Sequence, residues 1–194
     1  KMLCLAYLFR GQWFAALKDF DEALIDYDQA LEIDPYSLNA YLRKVELYTA
    51  KDDEEGAAET FRTATKMGFQ EDQLVQLFKT AVNFFQSRKL WNDTLIEFYD
   101  TLLEYNPKDY ITHYEKGSAL FNMERFYGAL DSLEESLRIA PSEEATAKKG
   151  LTLKALENFH EAIQWLEKVK KPEIDIIEAC VDCYIVLGFQ SYLF

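Results

Sequence analysis

The chain has 194 residues, 49% of them hydrophobic and 15% aromatic, with only 7 Gly and 4 Pro, so a substantial core is within reach and collagenous or disordered architectures are excluded. Lys and Arg number 21 against 34 Asp and Glu, a formal net charge of -13. That is the wrong sign for a protein whose main partner is a polyphosphate backbone, so nucleic acid is not an expected ligand. The 3 cysteines make no disulfide framework and point to a reducing compartment, the cytoplasm. No run of about 18 consecutive apolar residues is present to insert into a membrane.

Lys1 to Arg10 have the basic flank and apolar stretch of a secretory leader. No small-residue cleavage site follows, and the same residues fit a repeat that runs along the chain. A small residue is followed four positions on by a larger apolar one in Ala23/Tyr27, Ala57/Phe61, Thr94/Phe98, Ala129/Leu133 and Ala162/Leu166, with successive offsets of 34, 37, 35 and 33. Upstream, at the same offsets, stand Tyr7, Tyr41, Phe78, His113 and Thr146, then Gly11, Val45, Val82, Gly117 and Gly150, then Phe14, Tyr48, Phe85, Leu120 and Leu153. Pro35, Pro107 and Pro141 close three of the units.

Within a unit, apolar residues recur three and four apart, as in Tyr7 and Phe14 and then Phe20, Ala23, Leu24, Tyr27 and Leu31, which predicts two short amphipathic helices. A helix pair of this length buries its apolar face only by stacking on neighbours, and Gly11, Ala23 and Ala30 are expected where backbones approach most closely. Asp34-Pro35 and Asn106-Pro107 predict helix ends, because the residue before proline is pushed out of the α region. The stretch Met67 to Gln73 holds about three residues more than the repeat needs and no proline, which predicts an irregular joint between the second and third units. Beyond Pro172, the segment Ile176 to Tyr192 predicts a further helix with Ile177, Val181, Tyr184 and Ile185 on one face, the first half of a sixth unit. Because Lys1 is not an initiator residue and the last unit is half built, the expectation is a fragment of a longer chain. Self-association through an apolar edge of Val186, Phe189, Leu193 and Phe194 is the alternative.

The pattern resembles the tetratricopeptide repeat (TPR), a helix-turn-helix unit of about 34 residues with the cue W-x2-L-G-x2-Y, A-x3-F and P. Tyr7, Gly11, Phe14, Ala23, Tyr27 and Pro35 match in the first unit, and Tyr41, Tyr48, Ala57 and Phe61 in the second. Later units depart from the cue at Thr94, at His113 and at the missing terminal proline of the fifth. The units are bounded at about 4–37, 38–71, 75–109, 110–142 and 143–173, with a partial repeat at 174–194, all in one domain. The resemblance implies an all-α fold, a right-handed superhelical solenoid of stacked helix-turn-helix repeats.

Little in the chain points to catalysis. His113 reads as a core substitute for an aromatic residue and His160 as an exposed polar one. Cys180-x-x-Cys183 has redox spacing but lies in an apolar helical stretch without βαβ surroundings, so it reads, with Cys4, as structural thiols. No zinc-ligand pattern, phosphate loop or nucleophile motif is found, so no catalytic, metal or cofactor site is expected. Asp19, Asp21, Glu22, Asp26, Asp28, Glu32 and Asp34, and the run Asp52 to Glu55, read as a solvated face, with docking of a basic partner as the alternative.

The resemblance further implies that the first helix of each unit lines a concave channel for a peptide or partner helix. Carried onto this chain, the channel side holds Leu5, Leu8 and Gln12, then Asn39, Leu42, Glu46 and Thr49, then Gln76, Lys79, Asn83 and Gln86, then Tyr114, Ser118 and Phe121, and finally Ala147, Leu151 and Lys154. Leu42, Tyr114 and Phe121 would be apolar anchors, with core packing as the alternative for the two aromatics. One subfamily clamps the C-terminal carboxylate of chaperones. Lys79 and Asn83 match its opening pair, but Glu115 and Glu144 replace Asn and Lys, and only Lys148 keeps the charge of the last member. The expected function is therefore a non-enzymatic scaffold or adaptor binding a protein or peptide, with homo-oligomerisation through terminal helices, or a non-catalytic role within a larger protein, as alternatives.

Overall fold

The computed structural model describes residues 2–191, apart from the side chains of Thr49 and residues 189–191. The described residues form helices and no strand. The helices are α1 (Met2–Ala16), α2 (Phe20–Ile33), α3 (Leu38–Ala50), α4 (Glu54–Lys66), α5 (Glu71–Ser87), α6 (Asp93–Tyr105), α7 (Tyr110–Asn122), α8 (Phe126–Ile139), α9 (Glu143–Ala155), α10 (Phe159–Leu166) and α11 (Ile174–Ser191). They fall into two compact units, residues 1–90 holding α1 to α5 and residues 91–194 holding α6 to α11.

The turn inside each helix pair is built the same way every time. Lys18, Asp52, Lys89, Glu124 and Glu157 all take positive φ, between 55° and 63°, and none is a glycine. In each turn the next residue's N–H reaches back five residues: Asp19 to Phe14, Asp53 to Tyr48, Leu90 to Phe85, Arg125 to Leu120 and Asn158 to Leu153. This left-handed residue with its long-range backbone bond ends one helix and turns the chain toward the next. It is the backbone counterpart of the side-chain repeat, and nothing in the residue types marked it.

In the first unit, Cys4, Leu8, Ala23, Tyr27, Ala30, Ala40 and Leu47 form a buried cluster, with Tyr7, Phe14, Phe20, Leu24 and Leu31 packed against it. The expected close approaches are present. A Cβ on Gly11 would lie 2.6 Å from Tyr27 Cε1, one on Gly117 2.8 Å from Leu133 Cγ, and one on Gly150 2.6 Å from Leu166 Cδ2. Ala23, Ala129 and Ala162 are fully buried. Small residues on the first helix thus receive large apolar ones from the second, which is why the two sets share one period.

The extra residues near position 70 lie elsewhere than expected. The link between α4 and α5 covers 67–70, the same length as the link between α2 and α3, and the surplus goes into α5, which has 17 residues against 13 in α3. Gly68, at φ 74°, turns the chain without proline. Phe69 then packs edge-on against Tyr36 and Tyr41, with ring centroids 6.4 and 5.7 Å away.

The acidic stretches also divide. Asp26 is only 1% exposed and is held by two bonds from Arg10, with Nε donating to Oδ2 at 2.7 Å, so it belongs to the packing rather than to a solvated face. Asp53 caps α4 by accepting from Gly56 N–H at 2.9 Å, and Asp52 pairs with Arg88. Asn92, Asp109 and Ser142 cap α6, α7 and α9 in the same manner. Asp19, Asp21, Glu22, Asp28 and Glu32 are exposed as expected.

α11 starts at Ile174 and buries Ile176, Ala179 and Cys183. Ile177, Val181, Tyr184 and Ile185, expected on one face of this helix, are all about half exposed. The helix is rotated so that small and sulfur-bearing residues meet α9 and α10, where space is tightest. Val186 is half buried, whereas the Phe189 side chain, Leu193 and Phe194 lie outside the described residues.

Candidate functional site

Each unit has its own row of first helices. In residues 1–90, Gln12, Arg43, Glu46, Leu47 and Ala50 line a shallow cleft of about 310 Å³ over α1 and α3. Arg43 Nη1 donates to Glu46 at 2.7 Å, and the Gln12 amide oxygen accepts from Arg43 Nε at 2.8 Å. Leu8, expected on the channel side, is buried at 3% exposure, because α1 turns that residue into the Tyr27 cluster. Leu5 is half exposed, Asn39 is exposed and Leu42 half buried. On α5, Lys79 and Asn83 are exposed and Gln86 is half buried, consistent with their spacing along one face.

In residues 91–194 the structure gathers Tyr114, Ser118 and Phe121 on α7 as half-buried side chains. Phe121 packs edge-on against Phe126, centroids 5.6 Å apart, so it serves the helix-pair contact. Tyr114 joins Glu143, Glu144, Ala147, Lys148, Leu151, Val169, Lys171, Glu173, Asp175 and Ile176 around a cleft of about 310 Å³ between α7, α9 and the start of α11. At the repeat position where Leu8, Leu42, Lys79 and Tyr114 carry bulk, α9 has Ala147, and the missing volume opens the cleft.

Two polar groups on this face stand out against their neighbours. The buried hydroxyls of Thr60, Ser132 and Thr152 each donate to the carbonyl four residues back, and Ser136 donates to Tyr110 O at 2.8 Å. The Ser118 hydroxyl is buried with no partner. Lys149 is buried, bonded to Glu134 at 2.7 Å and set over the Trp165 ring. Adjacent Lys148 has its Nζ over the Phe121 ring, 4.9 Å from the centroid, and makes no carboxylate bond. Desolvation holds its ammonium below the usual lysine range, opposed by Asp175. Glu143, Glu144 and Glu173 are exposed at the rim, and none is in an ion pair. Residue-type spacing named Tyr114, Ala147 and Leu151 of this lining, and Glu144 and Lys148 as departures from the clamp pattern, but not the α11 wall with Glu173, Asp175 and Ile176, which depends on how α11 closes over α9.

Cys4 and Cys183 are buried and Cys180 is half buried, all three free, and burial pushes the Cys180 and Cys183 thiols up. The His113 Nε2 lies 3.0 Å from the Pro107 carbonyl and donates to it, so the ring is half buried as a link between α7 and the preceding turn. No metal-holding group of His, Cys, Asp and Glu, and no helix long and apolar enough to cross a membrane, occurs among the described residues.

Helix pairs joined by identical turns, with small residues of the first helix receiving large residues of the second, define a helical repeat protein. The tetratricopeptide repeat family matches residues 4–37 in one profile and residues 111–143 and 144–171 in another. The chain carries tetratricopeptide repeats. No curated protein matches the sequence. Among solved structures, the chain is similar to YrrB, described as a TPR protein with an unusual peptide-binding site, at 21% identity over 94% of this chain and 90% of that one, with a TM-score of 0.56. It is similar to MamA at 17% identity over 86% and 90%, with a TM-score of 0.61. It is also similar to PilF of Pseudomonas aeruginosa at 15% identity over 98% and 86%, with a TM-score of 0.54. At these identities the likeness is one of fold.

Proposed function

We propose that this chain is a scaffold or adaptor whose first-helix faces, in repeats bounded near 4–37, 38–71, 75–109, 110–142 and 143–173, hold a peptide segment of a partner protein. The observation that carries this reading is the α7–α9–α11 cleft, where Ala147, Leu151, Val169 and Ile176 leave an apolar floor beside Tyr114 and exposed Glu143, Glu144 and Glu173 line the edge. A small apolar floor with a polar edge suits a peptide supplying one or two apolar side chains. YrrB, described as a TPR protein with a peptide-binding site, supports the same use of the fold, by analogy only. Asn39, Leu42, Glu46, Lys79, Asn83 and Gln86 are the corresponding candidates in residues 1–90. Hydrogen exchange of the chain with a captured partner tests the reading: protection is expected on α7 and α9 or on α1, α3 and α5. Protection confined to α2, α4, α8 and α10 would remove the first-helix faces from it.

A second reading is self-association. Phe9 and Trp13 on α1 are 67% and 60% exposed, Met2 at its start and Leu17 just past its end are exposed too, and α11 exposes Ile177, Val181, Tyr184 and Ile185. Sedimentation over a range of concentrations decides it, and a single species of monomer mass throughout would refute it.

A further inference from the structure

We infer that the cleft between α7, α9 and α11 takes a short peptide segment in which an aliphatic residue is flanked by Lys or Arg. The inference rests on the peptide-binding reading above and specifies its ligand. The floor is apolar, formed by Ala147, Leu151, Val169 and Ile176, with a volume of about 310 Å³, at the small end of ligand pockets and suited to one or two aliphatic side chains. The charges around it choose the flanks. Glu143, Glu144, Glu173 and Asp175 line the cleft against only Lys148 and Lys171, and no ion pair ties any of the six to another. Elsewhere the basic side chains near carboxylates are paired across helices, as in Lys44 with Asp28, Lys116 with Asp100, Lys149 with Glu134 and Lys154 with Asp182. The rim is thus a place where carboxylates remain available in a chain that uses its cations elsewhere. Lys148 does not offset this rim, because it is folded over the Phe121 ring and partly desolvated.

A basic segment entering here would neutralise the unpaired rim, and an acidic one would face four carboxylates. The opposing possibility is a ligand carboxylate drawn to Lys148, and the two separate cleanly in one experiment. Three labelled peptides share a central Leu-Ile pair and differ only in flanks of Lys/Arg, Asp/Glu or Ser/Gly. Their binding to the 194-residue chain is followed by fluorescence anisotropy at low and moderate salt.

The basic peptide is expected to bind at least tenfold more tightly than the acidic one, with a salt dependence that the Ser/Gly peptide lacks. The triple variant Glu143→Gln, Glu144→Gln, Glu173→Gln should lose most of that preference, and Ala147→Met, which fills the floor, should weaken all three peptides. Lys148→Met should leave the basic peptide bound as well or better. Tighter binding of the acidic peptide that disappears in Lys148→Met would overturn the basic-ligand assignment and leave the groove reading standing. Failure of all three peptides to bind, or binding indifferent to Ala147→Met, would remove the cleft itself as a peptide site.

Discussion

Replacing Gly150 by Ala probes the central packing claim, that repeat-position glycines mark where the second helix leans on the first. The added Cβ would lie 2.6 Å from Leu166 Cδ2, 2.7 Å from its Cγ and 3.2 Å from its backbone N. Leu166 cannot swing away cheaply, because it is buried and packed with Ile176 and Ala179. Overpacking of this kind costs about 1–3 kcal/mol, and the better helix propensity of Ala returns about 0.5–1 kcal/mol, so a net loss of about 0–2.5 kcal/mol, centred on about 1 kcal/mol, is expected. The matched control is Gly128→Ala in the same unit, where the new Cβ meets Leu120 Cδ1 at 3.5 Å and Cδ2 at 3.9 Å, ordinary contacts. That variant should gain up to about 0.5–1 kcal/mol. Thermal unfolding followed by circular dichroism should move Tm in opposite directions, by roughly 2–8 °C per kcal/mol. Equal stabilisation by the two substitutions would mean that Leu166 relaxes freely, and the close-approach account of the repeat glycines would be wrong.

Removing Arg10 as Arg10→Met should lower Tm by leaving the buried Asp26 carboxylate unpaired, and adding Asp26→Asn should recover part of the loss; no recovery would show that Arg10 acts only through its aliphatic contacts. Glu157→Gly, at φ 60°, should raise Tm, since relief of left-handed backbone strain of about 1–2 kcal/mol outweighs the added freedom of the unfolded chain; a fall in Tm would indicate that the turn holds Glu157 without strain. Lys148→Met should stabilise the fold at neutral pH, because desolvation lowers the Lys148 pKa and so penalises its charged form. That penalty is present below the folded-state pKa and is lost as pH rises through it toward the unfolded value. The advantage of the variant should therefore shrink on the alkaline side, and an advantage that does not change with pH would refute the cause assigned.

The sequence by itself determined the helix pairs and their period, because side chains that must fit one another across two helices cannot drift in spacing without opening a cavity or a clash. Gly11 beneath Tyr27 and Gly150 beneath Leu166 are legible for that reason. It also marked Tyr114, Ser118 and Phe121 as one face of a helix, which follows from spacing alone. It did not place the surplus of the third unit in α5, because an added helical turn and a longer link have the same length in sequence. It did not separate Asp26 from the acidic residues around it either, since burial of a carboxylate is decided by a cation sixteen residues away on another helix. The rotation of α11 was settled only in three dimensions: both of its faces are apolar, and the packed one is the face whose smaller side chains fit against α9 and α10. The wall of the candidate cleft and its ring of unpaired carboxylates exist only once that rotation is fixed.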